Sequence, residues 1–144
     1  MFKYLEFIVA NNQVNCRKMD TTSKKIIIAE DSSVIQNLAK KILEMKNYKI
    51  TTAKNGQKVL DLLEKDNYDV ILMDLNMPVL NGIECAKQIR KMSDPTKANI
   101  PIIAISGNVH NYTEGDFKAV GINEFVPKPL NFDKLVDIVD SYVS

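Results

Sequence analysis

The chain has no tryptophan, one histidine and two cysteines among its 144 residues. Without Trp, one common aromatic platform is missing. Cys16 and Cys85 have no nearby histidine and no second cysteine pair, so they supply neither a zinc site nor a disulfide framework. Cys85 falls in a segment of helical spacing, where a cysteine serves as a small buried apolar side chain. His110 reads as a solvated residue near the start of a helix; phosphotransfer histidines sit on helical bundles facing a partner. The formal net charge is only +1, which gives no global pull toward nucleic acid or a membrane surface. Every apolar run falls short of the roughly 20 residues that a membrane span needs. There is no secretory signal: Glu6 interrupts the first apolar run, and no small-residue cleavage site follows. These absences fit a cytoplasmic, reducing setting.

What is present suits one domain. The length fits a single core, and an apolar share of 45% is ordinary for a soluble fold. Residues 1–23 read as an N-terminal extension dispensable for the fold. Phe2, Tyr4, Leu5, Phe7, Ile8 and Val9 give its first part an apolar character. A polar stretch and Met19 follow, so residues 1–18 read as an appendage or as an upstream start. Residues 24–144 read as the domain, with no room after the last helix for an output domain.

From Lys24 onward, two kinds of segment alternate. Short β-branched runs over 25–29, 49–53, 69–73, 100–105 and 124–126 read as buried strands. Between them lie stretches of helical spacing. The first is capped by Ser32 or Ser33, the second opens near Asn55-Gly56, and the third follows Asn81-Gly82. The fourth, over 111–120, is weakly amphipathic, and the last runs from Asn131 onward. Alternation of this kind implies βαβ units and a parallel sheet covered on both faces. Five such units fit an α/β, flavodoxin-like (βα)5 three-layer sandwich with strand order 2-1-3-4-5.

In such sheets a ligand sits beyond the carboxyl ends of the strands, near the switch point. Strand one ends in Glu30-Asp31, strand three in Asp74, strand four in Ser106-Gly107 and strand five in Lys128. Strand two, at the edge, ends in nothing distinctive. Each of these residues alone reads as a cap, a turn residue or a surface charge. Together they put three acids, a hydroxyl and a lysine on four neighbouring strands. Two unit charges 4 Å apart repel by about 4 kcal/mol at an effective dielectric of 20. Lys128 offsets part of that and a divalent cation offsets more. All-oxygen ligands suit Mg²⁺, and the lack of His and Cys ligands argues against zinc. A carboxylate beside such a cation and a lysine is a competent nucleophile toward phosphorus.

The motifs Ile-Ile-Ile-Ala-Glu30-Asp31, Leu-Met-Asp74-Leu-Asn76-Met-Pro78, Ala-Ile-Ser106-Gly107 and Phe125-Val-Pro-Lys128-Pro129 resemble those of the response-regulator receiver domains of two-component signalling. The resemblance covers residues 24–144. It implies that Asp74 is the phosphoacceptor and that Ser106 and Lys128 contact the phosphoryl group. It further implies Mg²⁺ held by Asp31, Asp74 and the backbone carbonyl of Asn76, with Glu30 as the second acid. Ser106 and Phe125 take the switch positions, and the Lys128–Pro129 bond is expected to be cis. Glu30 stands where Asp is commoner, and Gly107 where Ala is frequent. Asn76 and Asn108 occupy positions that tune how long the phosphoryl group lasts. The implied partners are a sensor histidine kinase or a histidine phosphotransfer protein, plus a downstream target. The implied unit is a monomer or weak homodimer, a phosphoacceptor rather than an enzyme.

Three other readings fit less well. A partner-binding module that is never phosphorylated would have no need of the full acid–hydroxyl–lysine set. Haloacid-dehalogenase-type enzymes need Asp-x-Asp after the first strand, whereas Glu30 and Asp31 are adjacent. A flavodoxin needs a phosphate-cradling loop there, and two acids would repel the flavin phosphate.

Overall fold

A computed structural model defines residues 23–107 and 113–143. The expected extension, apart from Ser23, lies outside these residues, as do His110 and Asn108. Five strands form one parallel sheet in the order β2-β1-β3-β4-β5. They are β1 (Lys25–Ala29), β2 (Lys49–Ala53), β3 (Val70–Asp74), β4 (Ile102–Ser106) and β5 (Glu124–Pro127). The helices are α1 (Ser33–Glu44), α2 (Gly56–Lys65), α3 (Gly82–Arg90), α4 (Glu114–Ala119) and α5 (Phe132–Val143). This is the expected flavodoxin-like sandwich.

The three inner strands are apolar on both faces because both faces are covered. Ile27, Ala29, Ile71, Met73, Ile102 and Ala104 point into one core with Leu63 of α2, Ile89 of α3 and Phe117 of α4. Ile26, Ile28, Val70, Leu72, Ile103 and Ile105 point into the other, against Leu43 of α1 and Leu135 of α5. The edge strands β2 and β5 are only partly buried, and Pro127, which cannot donate to a ladder, ends one of them. No helix among the described residues is long and apolar enough to cross a membrane.

Short polar side chains start the helices. Ser32 Oγ accepts from Ile35 N, Asn55 Oδ1 from Lys58 N and Asn81 Oδ1 from Glu84 N. Thr113 and Asp116 form a reciprocal capping box that holds the weakly amphipathic α4. That helix is shorter than the expected 111–120.

Two strands are displaced from their expected bounds. Asp69 sits below the ladder of β3: its N–H donates to Lys25 O, and its carboxylate accepts from Lys25 N at 2.8 Å. Pro101 has no N–H to donate, so β4 starts at Ile102. A one-turn helix, Pro95–Ala98, went unforeseen. Asp94 caps it at Thr96 N, and Pro95 stands at its start, where no N–H is needed.

Candidate functional site

Strand register carries the candidate residues to one end of the sheet. Ala29 pairs with Met73, so Glu30 follows β1 at the level of Asp74. Asp74 pairs with Ile105 and Ser106 with Pro127, which places Gly107 and Lys128 side by side. The backbone bond from Lys128 N to Ser106 O, 2.9 Å, ties the last two strand ends together. The Lys128–Pro129 peptide is cis, as expected.

The acids converge. Glu30, Asp31 and Asp74 each offer a carboxylate oxygen, all within 4.8 Å of one another. Lys128 Nζ lies 3.2 Å from Asp74 Oδ2 and 3.3 Å from Glu30 Oε1. Glu30 and Asp74 are each 2% exposed and Ser106 is 1% exposed, whereas Asp31 is open to solvent. Asp74 Oδ1 accepts from Asn76 N at 3.2 Å, and Glu30 Oε2 accepts from Ser32 N at 3.1 Å.

The electrostatics follow from that geometry. Burial pushes the Glu30 carboxyl above its ordinary range, and the neighbouring Asp74 adds to the effect; the Ser32 N–H and Lys128 offset only part of it. For Lys128, burial alone would lower the pKa. Attraction to Asp74 and Glu30 outweighs burial and keeps the ammonium charged. One lysine thus faces two buried carboxylates and an exposed third.

This donor set fits a hard divalent cation. Its ligands are all oxygen, with two carboxylates buried and one reachable from solvent. Glu30 Oε1 is buried, and the Lys128 ammonium at 3.3 Å is paired with it without forming a well-directed hydrogen bond; among the described residues no other donor reaches it. A buried carboxylate oxygen served only by that ion pair has room for a further cation or ordered water.

Sequence reasoning missed Gln36. Its side-chain amide, 8% exposed on the core face of α1, donates to the carbonyls of Glu30 and Ala53 at 3.0 and 3.2 Å. It thereby fixes the backbone that carries the acidic pair. The available signal was a polar residue in register with Ala39 and Leu43. Gly82 is needed for closeness, since a Cβ there would lie 2.7 Å from Asp74 O. At Gly107 an added Cβ would make only ordinary contact with Lys128 Cβ, at 3.6 Å, so nothing steric excludes Ala.

Compared with known families, the chain matches the response regulator receiver domain over residues 26–140. The chain belongs to that family. The receiver is 36% identical over 135 residues to hybrid signal transduction histidine kinase K of Dictyostelium discoideum, covering 90% of this chain and 11% of that protein. It therefore spans only a small part of that relative's length. Among solved structures, one similar chain is the receiver domain of sensor histidine kinase PA1611 from Pseudomonas aeruginosa PAO1, which has a magnesium ion coordinated in its active-site cleft. The two are 27% identical with a TM-score of 0.76, covering 85% of this chain and 98% of that one. Another is the receiver domain of the response regulator Ssk1 from Saccharomyces cerevisiae, co-crystallised with the histidine phosphotransfer protein Ypd1. It is 27% identical with a TM-score of 0.76, covering 84% and 89%.

Proposed function

We propose that this receiver accepts a phosphoryl group on Asp74 in a Mg²⁺-dependent reaction. The observation that carries this reading is Lys128 Nζ held between Asp74 and Glu30, beside a three-carboxylate cluster. Asp31, Asp74 and the Asn76 carbonyl would hold the ion, with Glu30 as the second acid. Bound there, Mg²⁺ would neutralise charge on the transferring phosphoryl oxygens.

The chain's own groups do the rest. An Asp74 carboxylate oxygen attacks phosphorus, and the bond between phosphorus and the donor nitrogen breaks. The electron pair leaves with the donor imidazole, and an acyl phosphate remains on Asp74. Lys128 follows the charge from carboxylate to phosphoryl oxygen. Ser106 donates its hydroxyl to a second oxygen, and the Gly107 N–H approaches a third. Attack by water later releases inorganic phosphate.

The structural relative seen with a phosphotransfer protein supports a donor of that class, either a sensor histidine kinase or a histidine phosphotransfer protein. The phosphorylated receiver then signals by contact with a target protein or passes its phosphoryl group on. In this reading residues 24–144 are the working unit, residues 1–23 are dispensable for phosphoryl acceptance, and the setting is cytoplasmic. The chain is a monomer or weak homodimer, and its only catalysis is its own phosphorylation and dephosphorylation.

Labelling with acetyl phosphate and Mg²⁺, followed by intact mass, tests the assignment. One phosphoryl group is expected on wild type and none on Asp74→Asn, whose side chain is nearly isosteric. An acyl phosphate that persists on Asp74→Asn would show that another acid is the acceptor.

A further inference from the structure

The acids of the site are anchored unequally. Asp74 is the last residue of β3 and stands in register with Ile105 of β4, and the next residue, Leu75, donates its N–H to Ile105 O at 3.1 Å. Asp31 has no such support, because β1 ends two residues before it, at Ala29. The last bond between β1 and β2 runs from Glu30 N to Ala53 O, at 3.0 Å. The peptide that joins Glu30 to Asp31 lies beyond the ladder. Asp31 is also exposed, so packing of its own side chain does little to hold it.

Gln36 reaches back to that peptide from the second turn of α1. Its side-chain amide donates to Glu30 O at 3.0 Å and to Ala53 O at 3.2 Å. The Glu30 carbonyl and the Asp31 N–H belong to one planar unit, so a bond to the oxygen sets the tilt of the plane. That tilt fixes ψ of Glu30 and φ of Asp31, the dihedrals that aim the two carboxylates. Two further bonds close the same short stretch: Gln36 N donates to Ser32 O at 2.9 Å, and Ser32 N to Glu30 Oε2 at 3.1 Å. Gln36 is buried, so solvent has little access to replace its amide.

The ion that suits this donor set is demanding of such positions. Mg²⁺ takes ligands at about 2.0–2.1 Å in near-ideal octahedral geometry, whereas Ca²⁺ accepts about 2.3–2.6 Å and irregular shells. Rigidly placed carboxylates therefore favour Mg²⁺, and loosely placed ones favour Ca²⁺. We infer that Gln36 is a positioning residue that gives the three-acid site its preference for Mg²⁺ over Ca²⁺, acting through the Glu30–Asp31 peptide. The inference rests on the metal reading of Glu30, Asp31 and Asp74.

Titration calorimetry of the full chain with MgCl2, and separately with CaCl2, tests it with no phosphoryl group present. Gln36→Met keeps an unbranched side chain of similar length and removes both N–H donors. Its Mg²⁺ dissociation constant should rise roughly 10-fold or more, as when a group that orients metal ligands is lost. Its Ca²⁺ constant should change by less than about 3-fold, since a looser shell still suits that ion. Leu43→Val is the control. It thins the core on the same face of α1 and breaks no bond to the acidic loop, so the ratio of the two constants should stay at the wild-type value. Gln36→Asn, whose amide stops one methylene short, carries the same test if the Met variant does not fold. An unmoved ratio in the Gln36 variants overturns the inference. So does an equal shift in Leu43→Val, which would leave Gln36 a structural residue only. A wild type that binds no Mg²⁺ overturns the metal reading and this inference with it; that result is read on wild type alone, so the two failures are distinguishable.

Discussion

Phe125 stacks on Phe117, with ring centroids 4.8 Å apart and planes 14° from parallel. The pair lines a surface cleft of about 550 Å³ between α4 and β5. Phe125 stands three residues before Lys128, and in the proposed switch it responds when Ser106 is drawn toward a phosphoryl oxygen. Turning inward would break the stack. Aromatic pairs contribute about 0.5–1.5 kcal/mol beyond burial. Phe117→Leu keeps bulk but removes the pairing, and should raise the inward population of Phe125 roughly 2- to 12-fold. Amide shifts over 113–126 in the unphosphorylated variant should then lie part-way toward those of wild type with beryllofluoride, a phosphoryl mimic. In Ser106→Ala the mimic should bind while the shifts beyond its contacts stay small. Wild-type shifts that never leave the residues touching the mimic would remove the switch.

Val79 has φ +69° and is 81% exposed. The bond from Leu80 N to Pro78 O, 2.7 Å, closes a three-residue turn around it. The left-handed region costs an L-residue about 1–2 kcal/mol, and a β-branched side chain is poorly suited to it. Glycine there would cost about 0.5–1 kcal/mol in unfolded-chain entropy. Val79→Gly removes almost no packing and should stabilise the protein by about 0.5–1 kcal/mol, raising Tm by about 2–4 °C. A lower Tm would show that the exposed side chain makes a contact that matters. Asn47 has the same φ but is suited to it: it ends α1 in a Schellman turn, with Tyr48 N donating to Leu43 O.

These two residues show what a sequence does and does not disclose. Asn47 follows a helical pattern, where asparagine is a known terminator; nothing in Pro78-Val79-Leu80 signals a left-handed turn. The strand order was legible because βα alternation and the handedness of crossovers leave few topologies, and polar residues at four strand ends then had to meet. The caps at Ser32, Asn55 and Asn81 were legible for a local reason, since each acts within three residues. Long-range polar ties were not. Arg90 donates to the carbonyls of Ala98, Ile100 and Gly121 and to Asn123 Oδ1, and no periodicity marks such a node. Gln36 was hidden likewise, because its partners are backbone carbonyls from two separate parts of the chain, Glu30 just past β1 and Ala53 at the end of β2. Glu30, Asp31, Asp74 and Lys128 were found as a set, yet only the fold shows two carboxylates buried and one exposed.

Cys85 is 0% exposed, and its thiol contacts Gly56 O at 3.4 Å. Burial pushes the thiol up to about 12. An unfolded cysteine ionises near 8.5. Below that value both states hold the proton, and the thiol adds no pH dependence. Above it the unfolded chain loses the proton while the fold retains it, so stability falls by about 1.4 kcal/mol per pH unit until the folded thiol also ionises. Between pH 8 and 10 urea unfolding should therefore lose about 2 kcal/mol more in wild type than in Cys85→Ala. The peptide carrying Cys85 should stay unalkylated by iodoacetamide until the fold opens. Rapid native labelling, or equal pH slopes in the two proteins, would contradict the buried thiol.

Glu30 and Asp74 share Lys128, and Asp31 adds a third carboxylate with no second lysine to balance it among the described residues. Mutual repulsion of about 4 kcal/mol per close pair at an effective dielectric of 20 is what an ion would relieve. Free Mg²⁺ at about 100 times its dissociation constant should raise stability by about 2.7 kcal/mol, in urea melts matched for ionic strength with NaCl. The variants separate repulsion from ligation. Glu30→Gln removes a buried charge whose pKa burial already raises, so the metal-free protein should be no less stable than wild type and its Mg²⁺ increment smaller. Asp31 is exposed, so Asp31→Asn should change metal-free stability by less than about 0.5 kcal/mol. It should nevertheless lose most of the Mg²⁺ increment, because Asp31 is the proposed direct ligand that solvent reaches. A full increment surviving in Asp31→Asn would place the ion somewhere other than the three-acid cluster.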